Sequence, residues 1–128
     1  MNNARPLVAV VDDDDSVSRA IERLLRSIGV TADLFKTGDL FLDRFASMPT
    51  YRPACIVLDM HMPGLNGLQV QQRLAGTGLP VIFITAHDEA DVRQLALAAG
   101  AAAYLRKPFD DEIFLAAVAT AVAASRAS

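Results

Sequence analysis

Four consecutive aspartates, Asp12 to Asp15, directly follow an apolar run rich in β-branched residues at positions 7–11. A short run of this kind is typical of a buried strand, which would bring the carboxylates out at the strand's C-terminal end. In open α/β sheets this edge is where ligands bind. Carboxylates crowded there repel one another, and a hard divalent cation relieves the repulsion. An isolated acidic run is also typical of a solvated loop.

Three further apolar segments lead to polar residues, which favours a site over a solvated loop. These residues are Asp59 after positions 54–58, Thr85 after positions 81–84, and Lys107 shortly after positions 102–105. Because parallel strands end at one edge of their sheet, we expect acids, a hydroxyl and an ammonium to meet there. Such a set is suited to phosphoryl chemistry.

The spacing of the segments predicts the fold class. Strand candidates begin near residues 7, 31, 54, 81 and 102, and helical patterns separate them, with Gly29 and Gly100 placed as helix stops. Alternating strands and helices predict an α/β fold with a doubly wound, five-stranded parallel sheet and five helices. The third helix is predicted at residues 65–75 and the fifth at about 110–124. We expect one domain over residues 5–124 and a short polar tail at 125–128.

Composition excludes several classes of protein. The 128 residues are 52% apolar and 21% charged, which is expected when a buried parallel sheet lies between helices. Neither a bilayer-length apolar run nor a signal peptide is present, so we expect a cytoplasmic protein without a membrane partner. The net charge of −3 argues against direct nucleic-acid binding. Cys55, the single cysteine, is expected to be a buried, inert thiol.

Four short motifs occur in a characteristic order. They are VVDD at residues 10–13, LDMHMPGLNG at 58–67, ITA at 84–86 and KPF at 107–109. Together they closely resemble the receiver domain of bacterial two-component response regulators, and the resemblance extends from residue 7 to about residue 122. It implies a flavodoxin-like strand order, 2-1-3-4-5, with the site at the switch point.

The resemblance also implies residue roles at that site. Asp59 would be the phosphoacceptor that takes a phosphoryl group from a phosphohistidine of a sensor histidine kinase or phosphotransfer protein. Mg²⁺ would be held by the side chains of Asp13 and Asp59 and by the backbone carbonyl of His61. Asp12 would act through a coordinated water, because Mg²⁺ keeps several of its waters.

The remaining groups implied by the resemblance bind the phosphoryl oxygens. They are the Thr85 hydroxyl, the Ala86 backbone N–H and the Lys107 ammonium, and a cis bond is expected between Lys107 and Pro108. Asp14 and Asp15 align with variable positions, and helix capping explains them better than a metal role.

Three residues beside the site, His61, His87 and Tyr104, have more than one interpretation. His61 and His87 stand where receivers tune hydrolysis of the phosphoryl group, and His87 resembles the FixJ-type branch. They are otherwise two exposed loop histidines, or an adventitious transition-metal site with nearby carboxylates. Tyr104 occupies the position of the switch aromatic, which would swing inward on phosphorylation; the alternative is simple packing.

We therefore expect a phosphoacceptor that catalyses only its own phosphorylation and dephosphorylation. Its expected cofactor is Mg²⁺. Its downstream partner is expected to be a protein, which the sequence does not identify. A stand-alone regulator is favoured, and a receiver belonging to a FixJ-type DNA-binding transcription factor is the alternative. The face of the fourth helix and fifth strand is a candidate surface for phosphorylation-dependent homodimers. An Asp-nucleophile phosphatase is disfavoured, because His61 replaces the second acid that such enzymes use.

Overall fold

Five short apolar segments form one parallel sheet in a computed structural model that describes residues 5–127. The strands are β1 (Leu7–Val11), β2 (Thr31–Phe35), β3 (Cys55–Asp59), β4 (Val81–Thr85) and β5 (Ala103–Arg106). They pair in the order β2-β1-β3-β4-β5. The inner strands β3 and β4 are buried at every position, as expected for a sheet covered on both faces.

Helices cover both faces of the sheet. They are α1 (Asp15–Ser27), α2 (Gly38–Ser47), α3 (Gly67–Arg73), α4 (Ala90–Ala98) and α5 (Asp111–Ala127). Phe41 and Val70, from α2 and α3, pack in one apolar core. Ile21 of α1 and Phe114 of α5 pack in a second core on the other face. The predicted fold class and strand order are confirmed.

The bounds of two helices, the third and the fifth, differ from the prediction. The third helix begins at Gly67 and not at residue 65, because Asn66 caps it in a reciprocal capping box with Gln69. The last helix continues to Ala127, so residues 125–127, which were predicted to belong to a short polar tail, are helical. No glycine or proline interrupts this segment, and alanine-rich sequence favours continued helix. Ser128 lies outside the described residues.

Strand register brings the C-terminal ends together. Val11 pairs with Leu58, and Asp59 pairs with Ile84, so β1, β3 and β4 end at the same level. The backbone N–H of Lys107 donates to the Thr85 carbonyl at 2.7 Å and extends this alignment beyond β5. Across the described residues, no helix is long and apolar enough to cross a membrane.

Candidate functional site

Two buried carboxylates and one partly buried ammonium lie together at the C-terminal edge of the sheet. Asp12, which follows β1, is 1% exposed, and Asp59, the last residue of β3, is 5% exposed. Lys107 Nζ lies 2.8 Å from Asp12 Oδ2 and 3.5 Å from Asp59 Oδ1. Together with Thr85, these residues form what we call the pocket floor.

The two carboxylates of the pocket floor have different surroundings. Both oxygens of Asp12 are engaged, since Oδ1 accepts the backbone N–H of Asp14 at 2.9 Å and Oδ2 accepts from Lys107. Within residues 5–127, the Asp59 carboxylate accepts only a long contact, at 3.5 Å, from the His61 backbone N–H besides its pairing with Lys107. Burial, followed by the charge of Asp12, raises the pKa of Asp59 to about 6, although Lys107 opposes the rise. Asp59 is therefore the less satisfied acid.

Lys107 remains charged despite its partial burial. Burial lowers its pKa, but the hydrogen bond from its ammonium to Asp12 and the charges of Asp59 and Asp12 outweigh burial, so the pKa is raised. The peptide bond between Lys107 and Pro108 is cis, as predicted. The ammonium thus stays available to pair with an anion at this edge.

Asp13 completes a group of three carboxylates. Asp13 is exposed, and its carboxylate lies with those of Asp12 and Asp59 in a set whose ligand atoms are all within 4.8 Å of one another. Oxygen donors at this spacing suit a hard cation such as Mg²⁺. The rest of the acidic run is used otherwise: Asp14 caps α1, and Asp15 pairs with Lys36 at 3.5 Å. The prediction that Asp14 is a helix cap is confirmed.

The Thr85 hydroxyl is engaged by the loop that follows β4. Thr85 is fully buried, and its Oγ1 donates to the His87 carbonyl at 2.9 Å and accepts the His87 backbone N–H at 3.1 Å. Ala86 is exposed between them. Thr85 therefore lies at the predicted edge, with its hydroxyl holding the loop in this conformation.

Exposed side chains on the loops after β3 and β4 contact one another beside the pocket floor. His61 Nε2 lies 3.3 Å from Glu89 Oε1, and the His61 ring is 5.8 Å from the His87 ring between centroids, at an angle of 67°. We call the group of His61, His87 and Glu89 the pocket mouth. The role of Glu89 in this contact was not predicted. Its position four residues after Thr85 was the available signal.

α3 packs directly behind the pocket floor. A Cβ at Gly67 would lie 2.9 Å from the Asp59 carbonyl oxygen, from Met60 Cα and from the Phe83 ring. The backbone of Gly67 also donates to the Met60 carbonyl at 2.9 Å. Glycine at this position therefore permits the close approach that fixes the loop after Asp59.

Tyr104 of β5 lies inward. The residue is 7% exposed, its ring is 6.3 Å from that of Phe83, and the Arg93 guanidinium lies over it at 5.6 Å. Among residues 5–127 its hydroxyl has no hydrogen-bond partner. Burial and then the charge of Asp88 raise its pKa. The inward position predicted for the phosphorylated form is thus already accommodated here, and the switch itself stays a prediction.

Comparison with known proteins agrees with this geometry. A family model described as the response regulator receiver domain matches residues 8–119. The crystal structure of a response regulator receiver protein from Burkholderia phymatum is 60% identical, with a TM-score of 0.84, and the match covers 93% of this chain and 96% of that one.

Two curated relatives extend the comparison. The response regulator protein TmoT of Ectopseudomonas mendocina is 36% identical over 95% of this chain and 55% of the relative. The transcriptional regulatory protein FixJ of Azorhizobium caulinodans is 40% identical over 87% of this chain and 52% of the relative. The chain thus spans about half the length of the curated relatives it matches.

Proposed function

The chain belongs to the response regulator receiver family, and on that premise we propose that Asp59 is its phosphoacceptor. The observation that carries the proposal is the buried placement of Asp59 beside Lys107, with the Asp12 and Asp13 carboxylates within 4.8 Å. Response regulators receive phosphoryl groups from histidine kinases, and a receiver domain is generally not a classical enzyme. We infer a sensor histidine kinase or phosphotransfer protein as the donor partner of this chain.

The transfer needs little chemistry from the protein. A carboxylate oxygen of Asp59 forms a bond to phosphorus while the bond from phosphorus to the donor imidazole nitrogen breaks, and the imidazole leaves with a proton from solvent. With a pKa of about 6, the carboxyl is mostly ionised at neutral pH and needs no general base. Catalysis then consists of positioning and charge neutralisation, which the ammonium of Lys107 supplies.

The acidic group fits Mg²⁺ by the chemistry of its donors, which are all hard oxygen ligands. Asp13 and Asp59 would hold the ion through their side chains, and His61 through its backbone carbonyl. Asp12 would act through water, because both its oxygens already accept hydrogen bonds. The ion supplies neutralisation of the charge on the phosphoryl group.

The phosphoryl oxygens need donors at the same edge. We assign these to Lys107, to the Ala86 backbone N–H and to the Thr85 hydroxyl, which would give up its contacts with His87. Movement of that loop would alter the packing of Tyr104 and the start of α4. The output face is then α4 with β5, where Leu95 and Leu97 are exposed. A homodimer or protein target would bind there.

The relatives suggest how the output is used. One relative is named a transcriptional regulatory protein. This name supports control of transcription as a second candidate for the output of the signal. The net charge of −3 supports action through protein contacts and not through DNA binding by this domain. Light scattering with and without beryllofluoride tests whether activation produces a dimer, and a monomer in both conditions would remove the dimer from the proposal.

Incubation with acetyl phosphate and Mg²⁺, followed by intact mass and peptide mapping, tests the phosphoacceptor. We expect one phosphoryl unit per chain, located on Asp59, and none on Asp59→Asn. The Asp15→Asn variant, which changes an exposed acid of the same acidic run, should label like wild type. Full labelling of Asp59→Asn would end the assignment.

A further inference from the structure

Glu89 has a single carboxylate, which could either cap α4 or pair with His61. It is the N-cap residue of α4, with extended backbone (φ −108°, ψ 121°), yet within the described chain its side chain makes no capping hydrogen bond. The caps of α1, α2 and α3 all accept such bonds. The Glu89 carboxylate is directed to His61 instead, with Oε1 3.3 Å from Nε2.

This contact joins the two loops that border the pocket. His61 follows Asp59 by two residues, and its backbone N–H faces Asp59 Oδ1 at 3.5 Å. Glu89 follows Thr85 by four residues and directly precedes α4. His61 therefore contacts the phosphoacceptor candidate through its backbone and the opposite loop through its ring.

The neighbouring loop residues hold the arrangement from the other side. His87 packs its ring against His61 at 5.8 Å between centroids, and its backbone is fixed by both hydrogen bonds of Thr85 Oγ1. Asp88 is directed away, to Arg93 at 3.9 Å. Of the two acids in this loop, Glu89 is thus the one paired with a pocket-mouth histidine.

Resting on the phosphoacceptor role of Asp59, we propose that Glu89 is a positioning residue that holds the His61 ring over the pocket mouth and thereby slows hydrolysis of the aspartyl phosphate. In that hydrolysis a water oxygen forms a bond to phosphorus, the bond from phosphorus to the Asp59 oxygen breaks, and a proton of the water passes to solvent. The water approaches phosphorus from the side opposite the Asp59 oxygen, and in the proposed arrangement that side lies at the pocket mouth. A ring held there restricts the approach.

The expected effect is small because both partners are exposed, 46% for the His61 side chain and 56% for that of Glu89. Exposed pairs contribute little, so loss of the contact should shorten the lifetime of the phosphorylated form by about two- to five-fold. The rate of phosphorylation should change much less, because Asp59 and Lys107, which would receive and pair with the incoming phosphoryl group, lie in the pocket floor.

Four substitutions separate positioning from helix stability. Glu89→Ala removes the contact, and Glu89→Ser also removes it but supplies a strong N-cap to α4. Both should shorten the lifetime equally if positioning is the cause, whereas Ser would restore the lifetime if helix stability were the cause. Glu89→Gln keeps the length and an acceptor oxygen, and should restore at least part of the lifetime. Asp88→Ala is the matched control and should decay like wild type.

The measurement is the decay of intact mass after labelling with acetyl phosphate and removal of the donor, at one pH and constant Mg²⁺. His61→Ala combined with Glu89→Ala should decay no faster than His61→Ala alone, since the two residues act through one contact. Equal lifetimes of wild type and Glu89→Ala, additive effects in the double variant, or restoration by Ser would each overturn the proposal. Failure of wild type to label at Asp59 would instead contradict the phosphoacceptor role.

Discussion

In the pocket floor, Asp12, Asp59 and Lys107 lie at strand ends and are largely buried, whereas in the pocket mouth His61 and Glu89 lie on loops and are exposed. Charges in the floor are weakly screened and interact strongly at 2.8 to 3.5 Å. The mouth pair, at 3.3 Å, is screened by solvent and contributes little. Ion pairs of similar length therefore contribute different interaction energies in the floor and in the mouth. We expect the floor to control the rate at which Asp59 is phosphorylated and the mouth to control the lifetime of the phosphorylated form.

Removal of the floor ammonium should have the largest effect. Lys107→Ala leaves the Asp12 and Asp59 carboxylates without their shared cation, and loss of a charge-assisted contact of this kind should slow labelling by about 10- to 100-fold. The labelling rate is measured by quenching the reaction with acetyl phosphate at successive times and recording the intact mass. Lys36→Ala is the matched control, since Lys36 pairs with Asp15 at the surface at 3.5 Å.

The same substitution tests the connection to the output face. Beryllofluoride should shift the NMR signals around Tyr104 in wild type but less in Lys107→Ala, because the ammonium links the charge at Asp59 to β5. The same set of shifts in both proteins would show that Lys107 does not carry this connection.

Neutralising the Asp59 carboxylate should stabilise the metal-free fold. The pKa of Asp59 is raised from 3.8 to about 6, so the folded state binds its proton more tightly than the unfolded state does. Stability from this group is present below pH 3.8 and is lost as pH rises through about 6. Asp59→Asn should therefore raise the free energy of unfolding at pH 7 by on the order of 1 to 3 kcal/mol. Urea unfolding in chelator measures it.

A matched control tests whether the gain in stability comes from removing a buried charge. Asp15→Asn removes one negative charge from the same acidic run, but at a side chain that is exposed, and it should change stability far less. If both variants gained equally, general charge repulsion and not the buried floor would be the cause. If Asp59→Asn lost stability, the unfavourable burial inferred for this carboxylate would be wrong.

Mg²⁺ should stabilise the protein by a smaller amount. An ion that binds only the folded pocket contributes about 1.4 kcal/mol at a ten-fold excess over its dissociation constant. Thermal unfolding with increasing Mg²⁺ should show this gain in wild type and not in Asp13→Ala. An identical gain in the two proteins would mean that the ion binds elsewhere.

Changes confined to the mouth should have the smallest effect. His61→Ala combined with His87→Ala removes both rings that border the opening, and the lifetime of the phosphorylated form should shorten by about two- to five-fold. The labelling rate is the internal control and should stay close to wild type. A wild-type lifetime in the double variant would reduce both histidines to ordinary loop residues.

The floor could be predicted from sequence because it is specified by strand ends. Apolar runs locate β1, β3 and β4, and parallel register then brings Asp12, Asp59 and Thr85 to one edge without further information. The helix cap at Asp14 could also be predicted from local sequence, because Asp14 directly precedes a helical pattern. Each of these residues is fixed by backbone that the local sequence determines.

The mouth could not be predicted in the same way. The His61–Glu89 contact joins side chains 28 positions apart on two loops, and a glutamate before a helix is commonly interpreted only as favourable charge at its N-terminus. The inward position of the Tyr104 ring depends similarly on its side-chain rotamer. The ring packs between Phe83 and Arg93. Loop conformation and side-chain direction decide both, and neither leaves a periodic pattern.

Parallel time courses of labelling and decay for wild type, Lys107→Ala and Glu89→Ala test the division between floor and mouth most directly. We predict that Lys107→Ala slows labelling by at least about ten-fold, while Glu89→Ala labels within about two-fold of wild type and decays about two- to five-fold faster. Labelling of Lys107→Ala at the wild-type rate, or a Glu89→Ala defect as large in labelling as in decay, would contradict the account.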